Sequence, residues 1–405
     1  MTKQLACFFL LLFAIVTELW SQPYIIEGKI TDKETGKPVP GASVFLSSTS
    51  IGTAADDKGG FILHNVPHGK FDLVVSSLGY QTYAISVTPE KLNAPLVILL
   101  TAKANELKEV VVGGFEKDGW QKWGKIFTDD FIGTSYLAYG CTIKNRDVIK
   151  FRYSKKRDFL QAFAEEPLVI ENSALGYIIH YKLEGFALDF ANRSITYKGF
   201  PLFEEMRGNA RKQRKWNERR KDVYYGSIMH FMRCVFTNKV VENGYEIKRL
   251  EKITNTEKKR IQALYKYYIT PDISETDFES RLPKDSLTYY QKILAQKDET
   301  DILHNEVLRG DSIAYGYDSV TAVLQFRDYL YITYKNKEEP DEYLLQTNQK
   351  GSLTGKITSQ ASLINGRPIY VLYNGAYFQP DDLLTLGYWG WSEKISSLLP
   401  YDYWP

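Results

Sequence analysis

The side chains best suited to metal binding or proton transfer in this sequence are its five histidines, His64, His68, His180, His230 and His304. Zinc carboxypeptidases take two metal ligands from a His-x-x-Glu pair, and none of the five is followed by Glu three residues later. The His-Glu-x-x-His pattern of other zinc enzymes is absent as well. We therefore predict no metal site and no cofactor.

Two pairs of residues have a spacing that needs separate consideration. His230 and Cys234 share one face of a predicted helix, a spacing that can chelate zinc. Since no second pair accompanies them, we interpret them as packed core residues. His180 and Glu184 lie in a predicted strand, nearly two pleats apart, which is poor geometry for one ion. We interpret them as surface residues.

Patterns for other kinds of catalysis are incomplete. No Ser-x-x-Lys and no Gly-x-Ser-x-Gly occurs. The segment Gly351-Ser-Leu-Thr-Gly355-Lys356-Ile357 is a near miss to a phosphate-binding loop, because the first Gly is one residue too close and Ile replaces the hydroxyl residue. Asp129-Asp130 and Asp381-Asp382 could provide the two acids of a glycosidase. Neighbouring acids in loops are usually solvated, so we predict no catalytic residue.

One run of positive charge is the strongest candidate for a binding site. Eight cations fall between positions 207 and 221, with Glu218 as the opposing charge: Arg207, Arg211, Lys212, Arg214, Lys215, Arg219, Arg220 and Lys221. The simpler interpretation is a long solvated helix with charge around much of its circumference. The alternative, from Arg211 to Lys221, is a docking surface for an anionic membrane, lipopolysaccharide or an acidic partner.

Aromatic residues near the C-terminal end form a second group. They could stack on sugars, although packing of this end onto a sheet is the favoured interpretation: Tyr388, Trp389, Trp391, Tyr401, Tyr403 and Trp404.

Length and composition predict two soluble domains. The chain has 405 residues, of which 44% are hydrophobic and 25% charged, and its 51 Lys and Arg against 49 Asp and Glu leave a net charge of +2. With so little net charge, no overall field attracts nucleic acid, and we predict no nucleic-acid partner.

The first residues resemble a signal peptide. Lys3 precedes an apolar run from Leu5 to Val16, which is too short to span a bilayer, and Ser21 offers a small residue for cleavage. We expect residues 1–22 to be removed, without acylation of Cys7, and the protein to reach the periplasm or the outer-membrane periphery of a Gram-negative cell. No later segment predicts a transmembrane helix. Cys141 and Cys234 then remain, either as a disulfide or, in the favoured interpretation, as free buried thiols.

Residues 23–102 predict an antiparallel β-sandwich, because short β-branched and aromatic runs are separated by turn residues every 8 to 12 positions. The predicted strands are 24–31, 42–48, 61–64, 70–77, 81–88 and 96–100, with a turn at Asp32-Lys-Glu-Thr-Gly36.

These residues resemble the carboxypeptidase-like regulatory domain, a transthyretin-like sandwich. The resemblance rests on Gly28, Asp32, Thr35-Gly36, Pro38, Gly41-Ala42, Val44, Gly52-Thr53, Asp56, Gly59, Phe61, Pro67, Gly69, Ser76 and Gly79-Tyr80. The following Leu107-Lys-Glu-Val-Val-Val112 is similar to the linker that follows this domain in TonB-dependent outer-membrane receptors. The resemblance implies a fold and a cell-envelope context, and it implies no peptidase activity.

After a linker at 103–119, residues 120–405 predict a larger α+β domain of unknown function with a mostly antiparallel sheet. Its roughly 285 residues are too few for such a receptor. We predict strands at 147–153, 175–185, 186–197, 321–334 and 369–373, the second and third as a hairpin. Helices are predicted at 201–223, 287–296 and 389–399, and a further helix has Ile228, Phe231, Met232, Val235 and Phe236 on its core face.

Three hypotheses of function follow. The leading one is a non-enzymatic exported envelope protein with a binding or docking role through its transthyretin-like module. A second is an accessory of TonB-dependent nutrient uptake that binds an envelope protein or a glycan. The alternative is a hydrolase of glycan or peptide that uses unpatterned carboxylates or histidines.

Overall fold

The computed structural model describes residues 23–103, 114–192, 194–269, 273–348, 351–352 and 354–405. The predicted signal peptide and residues 104–113 of the predicted linker lie outside the described residues. The fold class is confirmed as mixed, with 40% strand, 27% helix and mostly antiparallel sheets.

The chain divides into two compact units. Unit 1 comprises Met1–His230, Leu372–Ala376 and Ser392–Pro405, and unit 2 comprises Phe231–Val371 and Tyr377–Trp391. The described residues of the predicted linker, 103 and 114–119, fall within unit 1, and no division after His230 is predicted from the sequence.

The first part of unit 1 is the β-sandwich. Its strands are β1 (Tyr24–Asp32), β2 (Ser43–Leu46), β3 (Gly52–Ala54), β4 (Gly60–Val66), β5 (Phe71–Ser76), β6 (Tyr83–Val87) and β7 (Leu96–Leu100). They form two sheets in the orders β4-β1-β7 and β3-β2-β5-β6. The six predicted strands correspond to six of these, and β3 was missed because three residues are too few to show an alternating pattern. The core consists of inward-facing residues such as Ile26, Ile30, Val44, Leu73 and Val75.

The predicted turn after β1 is confirmed. The Asp32 carboxylate accepts hydrogen bonds from the Glu34 and Thr35 backbone amides at 3.0 and 2.7 Å, and from the Thr35 hydroxyl at 2.9 Å. These bonds, Thr35 first, lower the pKa of Asp32 because they favour the charged carboxylate. Gly36 follows at φ +69°, in the left-handed region that favours glycine.

The second part of unit 1 is a six-stranded sheet with helices. The elements are α1 (Gly119–Phe131), β8 (Cys141–Ile143), β9 (Ile149–Ser154), β10 (Phe159–Ala164), β11 (Leu168–Asn172), β12 (Tyr177–Asp189), β13 (Ser194–Glu205) and α2 (Ala210–Tyr224). The helix α1, which was not predicted, packs Phe127 against Phe151 and Phe186, with ring centroids 5.7 and 4.8 Å apart. The next helix, α3 (Ile228–Phe236), has the predicted core face, with Ile228, Phe231, Met232 and Val235 buried and Phe236 partly exposed.

Two predictions in this region are wrong in their boundaries. The break expected after Gly185 is a bulge inside β12, where the register shifts between Leu183 and Gly185, so the first strand of the hairpin continues to Asp189 instead. The helix expected from Pro201 begins at Ala210, because 201–205 complete β13 and pair with β12. Pairing with the long strand β12 therefore outweighs the helical preference predicted for residues 201–205.

Strand β13 lies at an edge of this sheet, and part of its outer side is covered by a sandwich loop. The Ser48 backbone amide donates to the Pro201 carbonyl at 2.7 Å, and the Phe203 amide donates to the Thr49 carbonyl at 2.9 Å. The Tyr401 amide donates to the Ser48 carbonyl at 2.7 Å. The sandwich, the second sheet and the C-terminal residues are thus joined at one loop.

The strands of unit 2 are β14 (Tyr245–Thr254), β15 (Glu299–Leu308), β16 (Ala314–Gly316), β17 (Thr321–Leu324), β18 (Tyr329–Glu338), β19 (Lys356–Leu363), β20 (Ile369–Leu372), β21 (Tyr377–Phe378) and β22 (Leu383–Gly387). Unit 2 thus contains a five-stranded sheet in the order β15-β14-β18-β19-β22 and a four-stranded sheet in the order β16-β17-β20-β21. Its helices are α4 (Thr256–Tyr268), α5 (Glu275–Ser280), α6 (Lys284–Leu294), α7 (Asp341–Thr347) and α8 (Tyr388–Ser392).

The predictions for unit 2 were partly correct. The predicted helix at 287–296 overlaps α6, and the single strand expected at 321–334 is two strands, because Asp328 takes φ +60° in the turn between them. The helix expected at 389–399 is shorter, ending at Ser392, and is followed by a separate 3-10 turn at Ile395–Ser397. Across the described part of the chain, no helix combines the length and the apolar character needed to cross a membrane.

Candidate functional site

The basic run predicted from the sequence forms α2 and the residues just before it. Asn209 caps the helix by accepting a hydrogen bond from the Lys212 backbone amide at 3.0 Å. The helix ends at Tyr224, and Gly226 follows at φ +89°. The helix is thus bounded by an ordinary Asn cap at its start and by a glycine shortly after its end.

One face of α2 is buried. Trp216, Arg220 and Tyr224 repeat at a spacing of four residues, which places them on one side of a helix, and all three are buried. The Trp216 indole donates to the Ser173 carbonyl at 3.0 Å. Gly176 lies beneath the indole ring, and a Cβ there would come within 2.3 Å of a Trp216 side-chain carbon. Only glycine lets the backbone at position 176 lie this close to the indole ring.

Arginine side chains fix the same face to the turn between β11 and β12. The Arg219 guanidinium donates to the Ala174 carbonyl at 3.2 Å, and the Arg220 guanidinium donates to the Leu175 and Gly176 carbonyls at 2.8 and 3.2 Å. Together with the Trp216 bond, side chains of α2 donate hydrogen bonds to the four successive carbonyls of residues 173–176. We call this segment the carbonyl turn. Charged donors make stronger hydrogen bonds than neutral ones, so the turn and the helix stabilise each other.

Arg220 is a structural residue and has to be removed from the predicted docking set. It is 4% exposed, pairs with Glu205 at 2.8 Å and lies 3.9 Å from the centre of the Tyr177 ring. Burial raises the pKa of Tyr177 above its ordinary value, and the Arg220 charge opposes that rise. Arg219 is half-buried and is likewise occupied by the carbonyl turn. The prediction of positive charge around much of the helix is therefore wrong for this side.

The remaining six cations are exposed, and we call them the basic face: Arg207, Arg211, Lys212, Arg214, Lys215 and Lys221. Among the described residues, none of their side chains forms an ion pair with an acid. Glu218 and Asp222 are exposed on the same helix, so the basic face keeps an excess of positive charge. A surface of this kind can attract and orient an anionic partner.

The five histidines are placed separately. His68 pairs with Glu90, His180 lies 3.4 Å from Glu204, and His304 lies 3.3 Å from Glu251. His230 is buried and accepts a hydrogen bond from the Gly226 amide at 3.3 Å. His64 is exposed. Within the described ranges, no three side chains of His, Cys, Asp or Glu come together in a way that could hold a metal ion.

Both cysteines of the described chain are free thiols. Burial raises the pKa of Cys141 and of Cys234 to about 12 in each case, because the thiolate would lose its hydration. Thiols with so high a pKa are poor nucleophiles at neutral pH.

The two predicted acid pairs have different surroundings. Asp129 pairs with Lys125 at 2.5 Å, whereas burial raises the pKa of Asp130, opposed by the charge of Lys394. Asp382 is buried and pairs with Arg367. One acid of each pair is therefore already engaged by a cation, which does not favour the acid and base of a glycosidase.

The other predicted features are dispersed as well. The near miss to a phosphate loop leads into β19, with the Ser352 amide donating to Glu339 at 2.7 Å. Of the six C-terminal aromatic residues, Tyr388, Trp389 and Trp391 belong to unit 2 and Tyr401, Tyr403 and Trp404 to unit 1. Tyr388 and Trp391 pack on Tyr343, and Trp404 is exposed. The six residues are thus divided between the two units.

Sequence reasoning found the cations but missed the residues that fix them. The spacing of Trp216, Arg220 and Tyr224 was available as a signal, although an arginine on a core face is uncommon. The carbonyl turn left no signal in side-chain types, because the groups involved are backbone carbonyls.

Comparisons with known proteins identify the first domain. The family model described as CarboxypepD_reg-like domain matches residues 26–112. No curated protein matches the chain.

Solved structures with similarity to parts of the chain include a type II cohesin-X-dockerin complex from Acetivibrio cellulolyticus, 21% identical over 20% of this chain and 58% of that chain, with a TM-score of 0.17. A streptococcal ancillary pilin is 14% identical over 20% of this chain and 30% of that chain, with a TM-score of 0.19. This chain thus spans less than two thirds of the length of either.

A putative membrane-associated protein of unknown function from Bacteroides fragilis is 12% identical over 90% of this chain and 97% of that chain, with a TM-score of 0.17. Scores this low carry no conclusion about function. The family match and the two-sheet architecture agree, and the N-terminal β-sandwich of this chain is a CarboxypepD_reg-like domain.

Proposed function

We propose that this protein is a non-enzymatic docking protein of the Gram-negative cell envelope, exported by its N-terminal signal and accessory to TonB-dependent nutrient uptake. The CarboxypepD_reg-like domain supports the envelope context. The apolar run from Leu5 to Val16 after Lys3 supports export. In this proposal the basic face binds the partner, and the sandwich is a fixed part of the same unit.

The observation that carries the proposal is the contrast between the two sides of α2. Its inner side is held by the carbonyl turn, by Glu205 and by the Tyr177 ring. Its outer side presents the cations of the basic face without ion-pair partners in the described chain. A partner therefore meets charges on an already ordered backbone, which reduces the entropy lost on binding.

The chemistry of α2 favours an acidic protein over a membrane surface. Helices that lie in a bilayer interface have a large apolar side to insert among the lipids. Here the large apolar residues Trp216 and Tyr224 are buried in the protein, and Val223 is partly buried. The outer side also carries Glu218, which anionic lipids would repel and which a protein partner can match with a cation of its own.

The test is affinity purification of the tagged full chain from gently solubilised native envelope, with identification of the retained proteins by mass spectrometry. We expect an envelope protein with an acidic surface, a TonB-dependent receptor or its surface lipoprotein, in near-equal amount. The triple variant Arg211→Gln, Arg214→Gln, Lys215→Gln should lose most of it, because three exposed cations are removed without altering the buried side of α2.

A matched control removes the same charge elsewhere. Lys155, Lys156 and Arg157 are exposed in the turn between β9 and β10, and their triple Gln variant should retain the partner. Equal loss of the partner from both variants would show that binding depends on net charge alone, which would contradict the proposal. Recovery of the wild-type chain alone, or its sedimentation with anionic vesicles in place of a protein, would also contradict it.

A further inference from the structure

A second surface lies in unit 2, at the edge of its five-stranded sheet. Strand β15 (Glu299–Leu308) is the outermost strand, and it pairs with β14 on one side. On its other side, no backbone group of the described chain bonds to it. An edge of this kind presents unpaired amides and carbonyls to any extended chain that approaches.

The side chains of β15 are exposed on both faces. Eight of its ten residues are exposed, and His304 and Leu308 are half-buried. Ile302, Leu303 and Val307 are 41%, 39% and 46% exposed. A strand at the side of a sheet normally buries one face in the core, so these aliphatic residues are not explained by the packing of unit 2.

The regular part of the edge is short and defined at one end by a bulge. Residues Glu299–Leu303 pair in continuous register with Thr254 to Leu250 of β14. The register then shifts between Leu250 and Lys248, so that 304–306 bulge out of the ladder. Bulges and lysines are common ways of blocking an edge. Here the bulge limits the open part to five residues, Glu299–Leu303, which we call the free edge.

The negative charge of β15 indicates which kind of segment can pair with the free edge. Glu299, Asp301 and Glu306 are exposed, and there is no Lys or Arg from 298 to 308. A second copy paired through the same edge would bring carboxylates near carboxylates, which is unfavourable for directly opposed residues. A segment with Lys or Arg at alternate positions would match the acids, and its backbone would complete the ladder.

We propose that the free edge binds an extended cationic segment of a partner protein by adding it to the sheet as a further strand. Backbone hydrogen bonds provide the binding geometry, and Glu299 and Asp301 select cations. Ile302 and Leu303 provide apolar contacts, one on each face of the sheet. This inference does not depend on the basic face, because it uses other residues in the other unit.

The experiment uses the full chain and a fluorescent peptide, Lys-Val-Lys-Val-Lys-Val-Lys, with fluorescence anisotropy as the measurement. A second peptide has the same sequence with an N-methyl group on every backbone amide, so that it keeps its charge and cannot donate to the ladder from either edge. We expect the unmodified peptide to bind at least about tenfold more tightly, because several hydrogen bonds depend on those amides. Equal binding of the two peptides would show charge attraction alone and overturn the proposal, and so would the absence of binding.

Variants locate the site. Glu299→Gln with Asp301→Asn should weaken binding of the unmodified peptide by about tenfold or more at low salt, since two charge contacts are lost. The control, Glu34→Gln with Asp57→Asn, makes the same chemical changes at exposed positions of the sandwich and should leave binding unchanged. Hydrogen exchange gives an independent readout, with slower exchange expected in 299–303 on peptide binding. Unchanged exchange there, or equal weakening by the control, would place the peptide elsewhere and overturn the proposal.

Discussion

Strands β13 and β15 both lie at an edge of their sheets, but their outer sides differ in their backbone hydrogen bonds. The outer side of β13 receives the loop residues Ser48 and Thr49 through backbone hydrogen bonds. The outer side of β15 receives no described backbone group. Residues of β13 such as Pro201 and Phe203 are buried, whereas most of β15 is exposed. The edge of β13 is therefore paired within the chain, whereas the edge of β15 is open. This difference points to a role in stability for β13 and in binding for β15.

The largest expected effect is on stability, and it distinguishes these two roles. The test truncates one large side chain in each strand. Phe203 is 1% exposed and packs on the Tyr177 ring at 5.4 Å, so Phe203→Ala should lower the free energy of unfolding by about 3–5 kcal/mol. Leu303 is 39% exposed, so Leu303→Ala should stay within about 0.5 kcal/mol of the wild type. Urea unfolding measures both values. A loss at Leu303 as large as at Phe203 would mean that β15 is also structural.

A smaller effect concerns the close packing behind β13. A Cβ at Gly199 would lie 2.3 Å from Tyr181 and 2.4 Å from the Lys182 carbonyl. Gly199→Ala should therefore lower the free energy of unfolding by about 1–3 kcal/mol. The control is Gly185→Ala in the β12 bulge, where nothing lies within 4 Å of the added methyl group, and it should be nearly neutral. Thermal unfolding of the two variants checks the difference, and equal Tm values would contradict the close approach.

The smallest effect uses the two thiols as reporters, Cys141 in unit 1 and Cys234 in unit 2. Their pKa values of about 12 keep both protonated at pH 8, so alkylation by iodoacetamide should be slow in the native protein and fast in urea. The rate should rise with pH as it approaches 12, because the thiolate is the reactive form. Phe203→Ala should speed labelling of Cys141 more than that of Cys234, as measured by mass spectrometry. Fast native labelling at pH 8 would show that burial does not hold the thiols neutral.

The parts of the fold that could be predicted are those whose signals are local. The turn at Asp32 is formed largely by neighbouring residues, and the Glu34 and Thr35 groups that bond to its carboxylate lie within three positions. The core face of α3 follows from its apolar periodicity. Such signals do not depend on the rest of the chain.

The parts that could not be predicted depend on distant partners. Residues 201–205 become a strand because β12 pairs with them, and Arg220 becomes buried because a turn 45 positions earlier in the chain presents carbonyls to it. The basic face was recognised as a cluster of charge, but the division of α2 into a buried and an exposed side could not be read from charge alone. The free edge was missed entirely, since alternating and apolar residues in 299–308 do not indicate which strands will lie beside them.

The bonds between the loop at 48–50 and the C-terminal residues have a consequence for biosynthesis. Asp402 accepts a hydrogen bond from the Ser50 amide across a separation of 352 residues. At the usual rate of translation, about 5–20 residues per second, that separation takes roughly 20–70 s to synthesise. During this interval the residues of the sandwich have been synthesised but lack one of their contacts, which can form only after Asp402 has been made.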